Sequence, residues 1–80
     1  MTKIVRSIPF KFDYQMFVSD IVAFHDAHDL RWHEIDKLAG LCSGNANNIV
    51  NGMKNSKVNT ILALANAMDV DVRTYFVLDV

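Results

Sequence analysis

The sequence predicts an all-α domain of short helices, with room for a short strand at each end. Three observations carry this. Two helical patterns between Leu30 and Val50 meet at Gly40, and the second closes at Asn51-Gly52. A third periodic run, Val58, Ile61, Leu62, Ala65 and Met68, keeps the i, i+3, i+4, i+7 rhythm of a helix buried along one face, and Val70 ends it. Ahead of both, Asp13 stands in N-cap position before Phe17, Ile21 and Phe24, which share one helical stripe.

Taken in order, residues 1–12 form an N-terminal arm in which Ile8, Phe10 and Phe12 alternate with Pro9 and Lys11. That alternation permits a short edge strand; a loose arm pinned by its aromatics is the other reading. The first helix runs from Asp13 to about His28. Leu30, Ile35 and Leu38 then make an apolar stripe, Gly40 supplies the left-handed residue that turns the chain, and Leu41 drops into the core. The next helix spans about Ser43 to Val50. Ala46, Ile49 and Val50 face inward, leaving Ser43, Gly44, Asn47 and Asn48 outward, and Asn51 and Gly52 both tolerate the positive φ that closes it. After the third run, Asp71 caps a short turn through Tyr75. Phe76-Val77-Leu78 reads as a last helical turn or as a strand, which leaves open a pairing of the two termini within or between subunits. There are no repeats, linkers or low-complexity tracts, so residues 1–80 are one domain.

Laid on without a gap, the stretch from Leu30 to Val70 resembles the lambda-repressor/Cro-type helix-turn-helix family. That family reads roughly L-S-Q-x-x-L-A-x-x-x-G-V-S-x-x-x-I-S-x-I-E-N-G, then P-x-L-x-T-L-x-x-I-A-x-A-L-x-V. Leu30, Gly40, Ile49, Asn51, Gly52, Thr60, Leu62, Ala65, Ala67 and Val70 match outright; Ile35, Leu41, Val58, Ile61, Leu64 and Met68 match by type. The resemblance covers about half the chain and places the motif at about residues 31–51. It implies a five-helix lambda-repressor-like fold and a sequence-specific transcriptional regulator, either a Cro-like phage repressor or an antitoxin-type repressor. Such a protein would bind a palindromic operator in double-stranded DNA as a homodimer and block a promoter sterically, without catalysis, cofactor or metal.

By the same resemblance, Ser43, Gly44, Asn47 and Asn48 face base edges in the major groove. Asn pairs bidentately with adenine, and no Arg or Lys on this helix offers the common guanine contact, so the inferred half-site contains adenine and thymine. Without the resemblance, the same four residues read as a solvated face. Asn51, Lys54 and Asn55 would touch phosphate. Trp32 stands where the family places a phosphate-binding Gln; its indole N–H can serve there, or the ring packs on Leu30 or on a partner.

The chain departs from the family pattern at several positions. Asp36 stands where a small Ala lets the two motif helices cross, and Ala46 stands where a branched apolar residue is usual, as though their volumes were exchanged. Val50 and His25 replace a Glu and an Arg that commonly pair, and Ala39 thins the core.

Composition bounds these readings. A chain of 80 residues removes only roughly 60% of its unfolded surface from water, while 51% hydrophobic content and five Phe exceed the needs of a small core. The surplus points to a dimer with an apolar seam. Nine acidic and eight basic residues give a net charge of −1, unusual for a DNA binder. However, Arg31, Lys37, Lys54 and Lys57 cluster around the motif, and Asp13, Asp20, Asp69, Asp71 and Asp79 lie outside it. This balance also supports a second reading, an antirepressor-like module that binds another regulatory protein. A lone cysteine, Cys42, excludes an internal disulfide and suits a reducing compartment. No apolar run approaches the roughly 20 residues of a membrane span and no signal-peptide core is visible, so the expected location is cytoplasmic. His25 and Asp29, at i, i+4, are two groups rather than a metal site. Cys42 near histidines reads as a small packed residue or a poor helix cap rather than as a nucleophile.

Overall fold

The computed structural model describes residues 10–54 and 56–78. In chain order these form β1 (Phe10–Phe12), α1 (Tyr14–His28), α2 (Trp32–Leu38), α3 (Asn45–Val50), α4 (Val58–Ala67), a 3-10 turn (Val72–Tyr75) and β2 (Phe76–Leu78). The domain is thus predominantly helical, as expected, but it has four α-helices among the described residues where five were predicted. The fifth segment stops after a single turn. Asp71 Oδ1 accepts the main-chain N–H of Arg73 and Thr74 N–H bonds back to the Asp71 carbonyl at 2.9 Å, after which the chain extends into β2. The Arg73 guanidinium also clasps the exposed Asp71 side chain and holds its carboxyl down to about 2.

Asp13 starts α1 as expected, its Oδ1 accepting from Met16 N–H at 3.0 Å. The same residue ties the two chain ends together, because its own N–H donates to the Tyr75 carbonyl. β1 and β2 pair antiparallel within one chain in the register Phe10↔Leu78, Lys11↔Val77, Phe12↔Phe76. That settles both terminal readings in favour of strands; Ile8 lies outside the described residues. Phe12 anchors the sheet, its ring meeting Tyr14, Phe17, Tyr75 and Phe76 at centroid distances of 4.7 to 5.7 Å.

The core is Phe17 and Ile21 from α1, Ile35 from α2, Ala46 and Ile49 from α3, Ile61, Leu64 and Ala65 from α4, and Tyr75. Tyr75 has no exposed surface, and its hydroxyl donates to Asp20 Oδ2 at 2.6 Å. Burial, followed by this carboxylate, raises the phenol above its ordinary value.

Two of the expected apolar stripes are displaced. On α4, Val58 is 68% and Leu62 40% exposed, while Leu64 is fully buried. The run Ile61-Leu62-Ala63-Leu64-Ala65 is apolar throughout, so its periodicity allows two stripes, and packing selects Ile61, Leu64, Ala65 and Met68. On α2, Leu38 is 60% exposed. The inward face is Trp32, Ile35, Asp36 and Ala39, an i, i+3, i+4, i+7 set whose centre is a carboxyl group and which therefore escapes a hydrophobic pattern. Gly40 has φ 75° and turns the chain as expected, and Leu41 packs against the core. At the end of α3 the positive φ belongs to Gly52, while Asn51 stays at φ −86°.

Candidate nucleic-acid interface

α3 is short, and its geometry depends on what holds its first turn. An isolated helix of this length is not stable in water, and its leading N–H groups need acceptors. The residue at its N-cap is Gly44, which has no side chain to offer. The acceptor comes from α2 instead: Asp36 Oδ2 takes the N–H of Gly44 at 3.0 Å and Oδ1 takes that of Ala46 at 2.9 Å. Asp36 is fully buried, and its bond to Ala46 is shielded from competing water while that to Gly44 is partly so. The two motif helices are therefore joined by a bidentate side-chain cap as well as by apolar contact.

This arrangement corrects the predicted start of α3. Ser43 and Gly44 precede the helix, because Gly44 sits at φ 103°, which a helix cannot contain and a residue with a side chain resists. Ser43 is exposed. Gly44 is half-buried with its N–H committed to Asp36, so it does not present a free amide outward. Asn45 Nδ2 donates to the Cys42 carbonyl at 2.8 Å, and the Cys42 thiol is exposed rather than packed.

The outward face of α3 consists of Asn47 and Asn48, both exposed, with Ala46 and Ile49 beneath them in the core. Asn51, at the C-cap, is also exposed and donates from Nδ2 to Asn47 Oδ1 at 3.2 Å. The two amides form an ordered pair one turn apart. Lys54 is exposed just beyond, and Asn55 lies outside the described residues. Arg31, Lys37 and Lys57 are exposed as well.

Trp32 is half-buried and stacks on His25 from α1, centroids 3.9 Å apart and planes 20° from parallel. It also packs against the core. His25 Nδ1 lies 3.0 Å from Asp26 Oδ1. The start of α2 is held by Glu34, whose Oε1 accepts Arg31 N–H at 2.8 Å. Together His25, Arg31, Trp32, His33, Gly44 and Asn47 line a notch of about 480 Å³ beside the outward face of α3. Among the described residues no group of three or more His, Cys, Asp or Glu side chains could hold a metal ion.

Two features of this site escaped sequence reasoning, the cap formed by Asp36 and the His25–Trp32 stack. Asp36 was marked as a departure, and the signal for its role was the lack of a capping side chain at Gly44. The His25–Trp32 stack has no local signal, because it joins residues on different helices. Comparison with protein-family models, curated proteins and solved structures finds no match for this chain.

Proposed function

We propose that the chain is a sequence-specific DNA-binding regulator of the lambda-repressor/Cro type that places α3 in the major groove. Its carrying observation is a helix fixed at its first turn by a buried carboxyl group while Asn47 and Asn48 stay exposed. A reading element must be held rigidly for base contacts to discriminate, and α3 is held at one end by Asp36 and along its length by Ala46 and Ile49. Ser43, Asn47 and Asn48 would meet base edges. Trp32, Asn51, Lys54 and Asn55 would meet phosphates. With few cations per chain, affinity would come from a homodimer on a palindromic operator, and repression from steric occlusion in the cytoplasm without catalysis.

The dimer surface we assign is the sheet, where Phe10 is 56%, Phe76 46% and Leu78 53% exposed. Paired residues share a face of a two-stranded sheet, so Phe10, Leu78 and Phe76 lie together, and among the described residues each strand pairs on one edge only. This same apolar face, with the net charge of −1, favours a second reading in which the chain binds another regulatory protein.

Selection from random-sequence duplexes, followed by mobility shift at low and moderate salt, tests the proposal. Enrichment of one palindrome supports it. Binding to no sequence, or equal binding to all, overturns it in favour of the protein-binding reading.

A further inference from the structure

Asn47 and Asn48 are neighbours on the outward side of α3, yet their amides are not in the same state. Asn51 Nδ2 donates to Asn47 Oδ1 at 3.2 Å, whereas the Asn48 amide has no hydrogen-bond partner among the described residues. The backbone beneath holds the pair in place, since the Asn51 N–H bonds to the Asn47 carbonyl at 3.0 Å and fixes the two residues one turn apart. Cα–Cβ bonds on a helix tilt towards its N-terminus, which brings the Asn51 side chain back over Asn47. An asparagine reads adenine with both ends of its amide at once, the oxygen accepting from N6 and the nitrogen donating to N7. At Asn47 the oxygen is already engaged. That bond weakens the oxygen as an acceptor for a second partner and, by polarising the amide, strengthens its nitrogen as a donor.

We propose that Asn51 is a positioning residue for base readout, which turns Asn47 into a donor and directs it to the acceptor edge of guanine or thymine instead of adenine. The inference rests on the DNA-binding reading and adds to it a base identity. Guanine offers N7 and O6 and thymine offers O4, while adenine sets its N6 donor beside N7 and cytosine offers only an N4 donor. Asn48, with both ends of its amide unengaged among the described residues, keeps the bidentate match to adenine. The two asparagines thus read different bases, although residue type alone makes them equivalent. Asn51 Nδ2 carries a second hydrogen, so its bond to Asn47 is compatible with the phosphate contact assigned to it above.

The test is selection of duplexes from a random-sequence pool by the full chain and its variants, read as base preference at each pair. Asn47→Ala should level the preference at one pair, which identifies the pair that Asn47 reads. There the native chain is expected to favour guanine or thymine over adenine by about fivefold, the worth of one hydrogen bond. Asn51→Ala should raise adenine at that pair to the level of guanine or above and leave the pair read by Asn48 unchanged. Asn51→Asp removes the donor. Its carboxylate accepts from Asn47 Nδ2 instead, which releases Oδ1 and should invert the preference towards adenine and cytosine, whose edges donate. Asn51 is exposed at φ −86°, so both substitutions should keep the fold, with an unchanged helical spectrum. Three outcomes overturn the proposal: Asn47→Ala levels no pair, the native chain prefers adenine at the Asn47 pair, or Asn51→Ala lowers affinity while base preference stays intact. The last would assign Asn51 to phosphate contact alone. Selection of no sequence by the native chain would overturn the DNA reading itself and this inference with it, so the two failures are distinct.

Discussion

Asp36 Oδ1 accepts the main-chain N–H of Ala46 at 2.9 Å, and neither residue retains any exposed surface. The two positions whose types looked exchanged against the repressor family do meet, but through a carboxyl group and a backbone amide rather than through matched volumes. Cys42 stands where the family pattern has a Ser that caps the second motif helix, and the residue at the N-cap is Gly44. Gly44 cannot cap it, and the side chain of Asp36 reaches across from α2 to do so.

Asp36→Ala is expected to leave the buried N–H of Ala46 and the half-buried N–H of Gly44 without their acceptors, at a cost of about 3 kcal/mol, since each such group costs roughly 1–3. Denaturant melts measure the loss, and amide exchange should quicken first at Gly44 and Ala46. Adding Ala46→Val fills space but supplies no acceptor, so the double variant should regain only the packing part, well under half of the loss. Full recovery would mean that volume, not the cap, holds the helices together.

Tyr75→Phe keeps the buried ring and removes the bond to Asp20. A loss of about 1 kcal/mol near neutral pH is expected, within the usual range for one hydrogen bond. The phenol of the folded chain is raised above its ordinary 10.0, chiefly by burial. Its contribution is therefore complete below about pH 10 and declines as pH rises beyond that, because the unfolded chain ionises first. Melts from about pH 8 to about pH 11 should show this decline in the native chain and a weaker one in Tyr75→Phe. Equal profiles would place the alkaline sensitivity elsewhere.

If Asn47 and Asn48 read bases, replacing either by Ala should cost roughly 1–3 kcal/mol on the preferred site and little on random DNA. Lys54→Ala should weaken binding to all sequences and lower the salt slope by about one unit. Asn51→Ala, which frees the Asn47 amide from its partner, should reduce discrimination less than Asn47→Ala does. A uniform loss across sequences for Asn47→Ala would move that residue to the phosphate class.

Sedimentation at micromolar concentration should show a dimer, and Leu78→Lys should dissociate it, because the added charge falls on the exposed apolar face of the sheet. Leu78 is 53% exposed, so the fold should survive with an unchanged helical spectrum. A monomeric native chain would refute the seam.

Local chemistry was enough to read much of this chain from its sequence. Asp13 as a cap, the extent of α1, the turn at Gly40, the inward Ala46 and Ile49 and the turn opened by Asp71 all follow from hydrogen-bonding needs and spacing within a few residues. Which of two apolar stripes α4 buries did not follow, because Leu62 and Leu64 are equally apolar and only the surface opposite them distinguishes the two. The role of Asp36 was hidden for the converse reason: a polar residue at the centre of a buried face breaks the pattern that reveals the face. Its acceptors serve amides eight and ten residues away, at the start of another helix. The His25–Trp32 stack and the strand pairing of Phe10–Phe12 with Phe76–Leu78 likewise join distant segments. Periodicity and capping are local and are written in the sequence, whereas contacts between elements exist only once the chain has folded and the neighbours are in place.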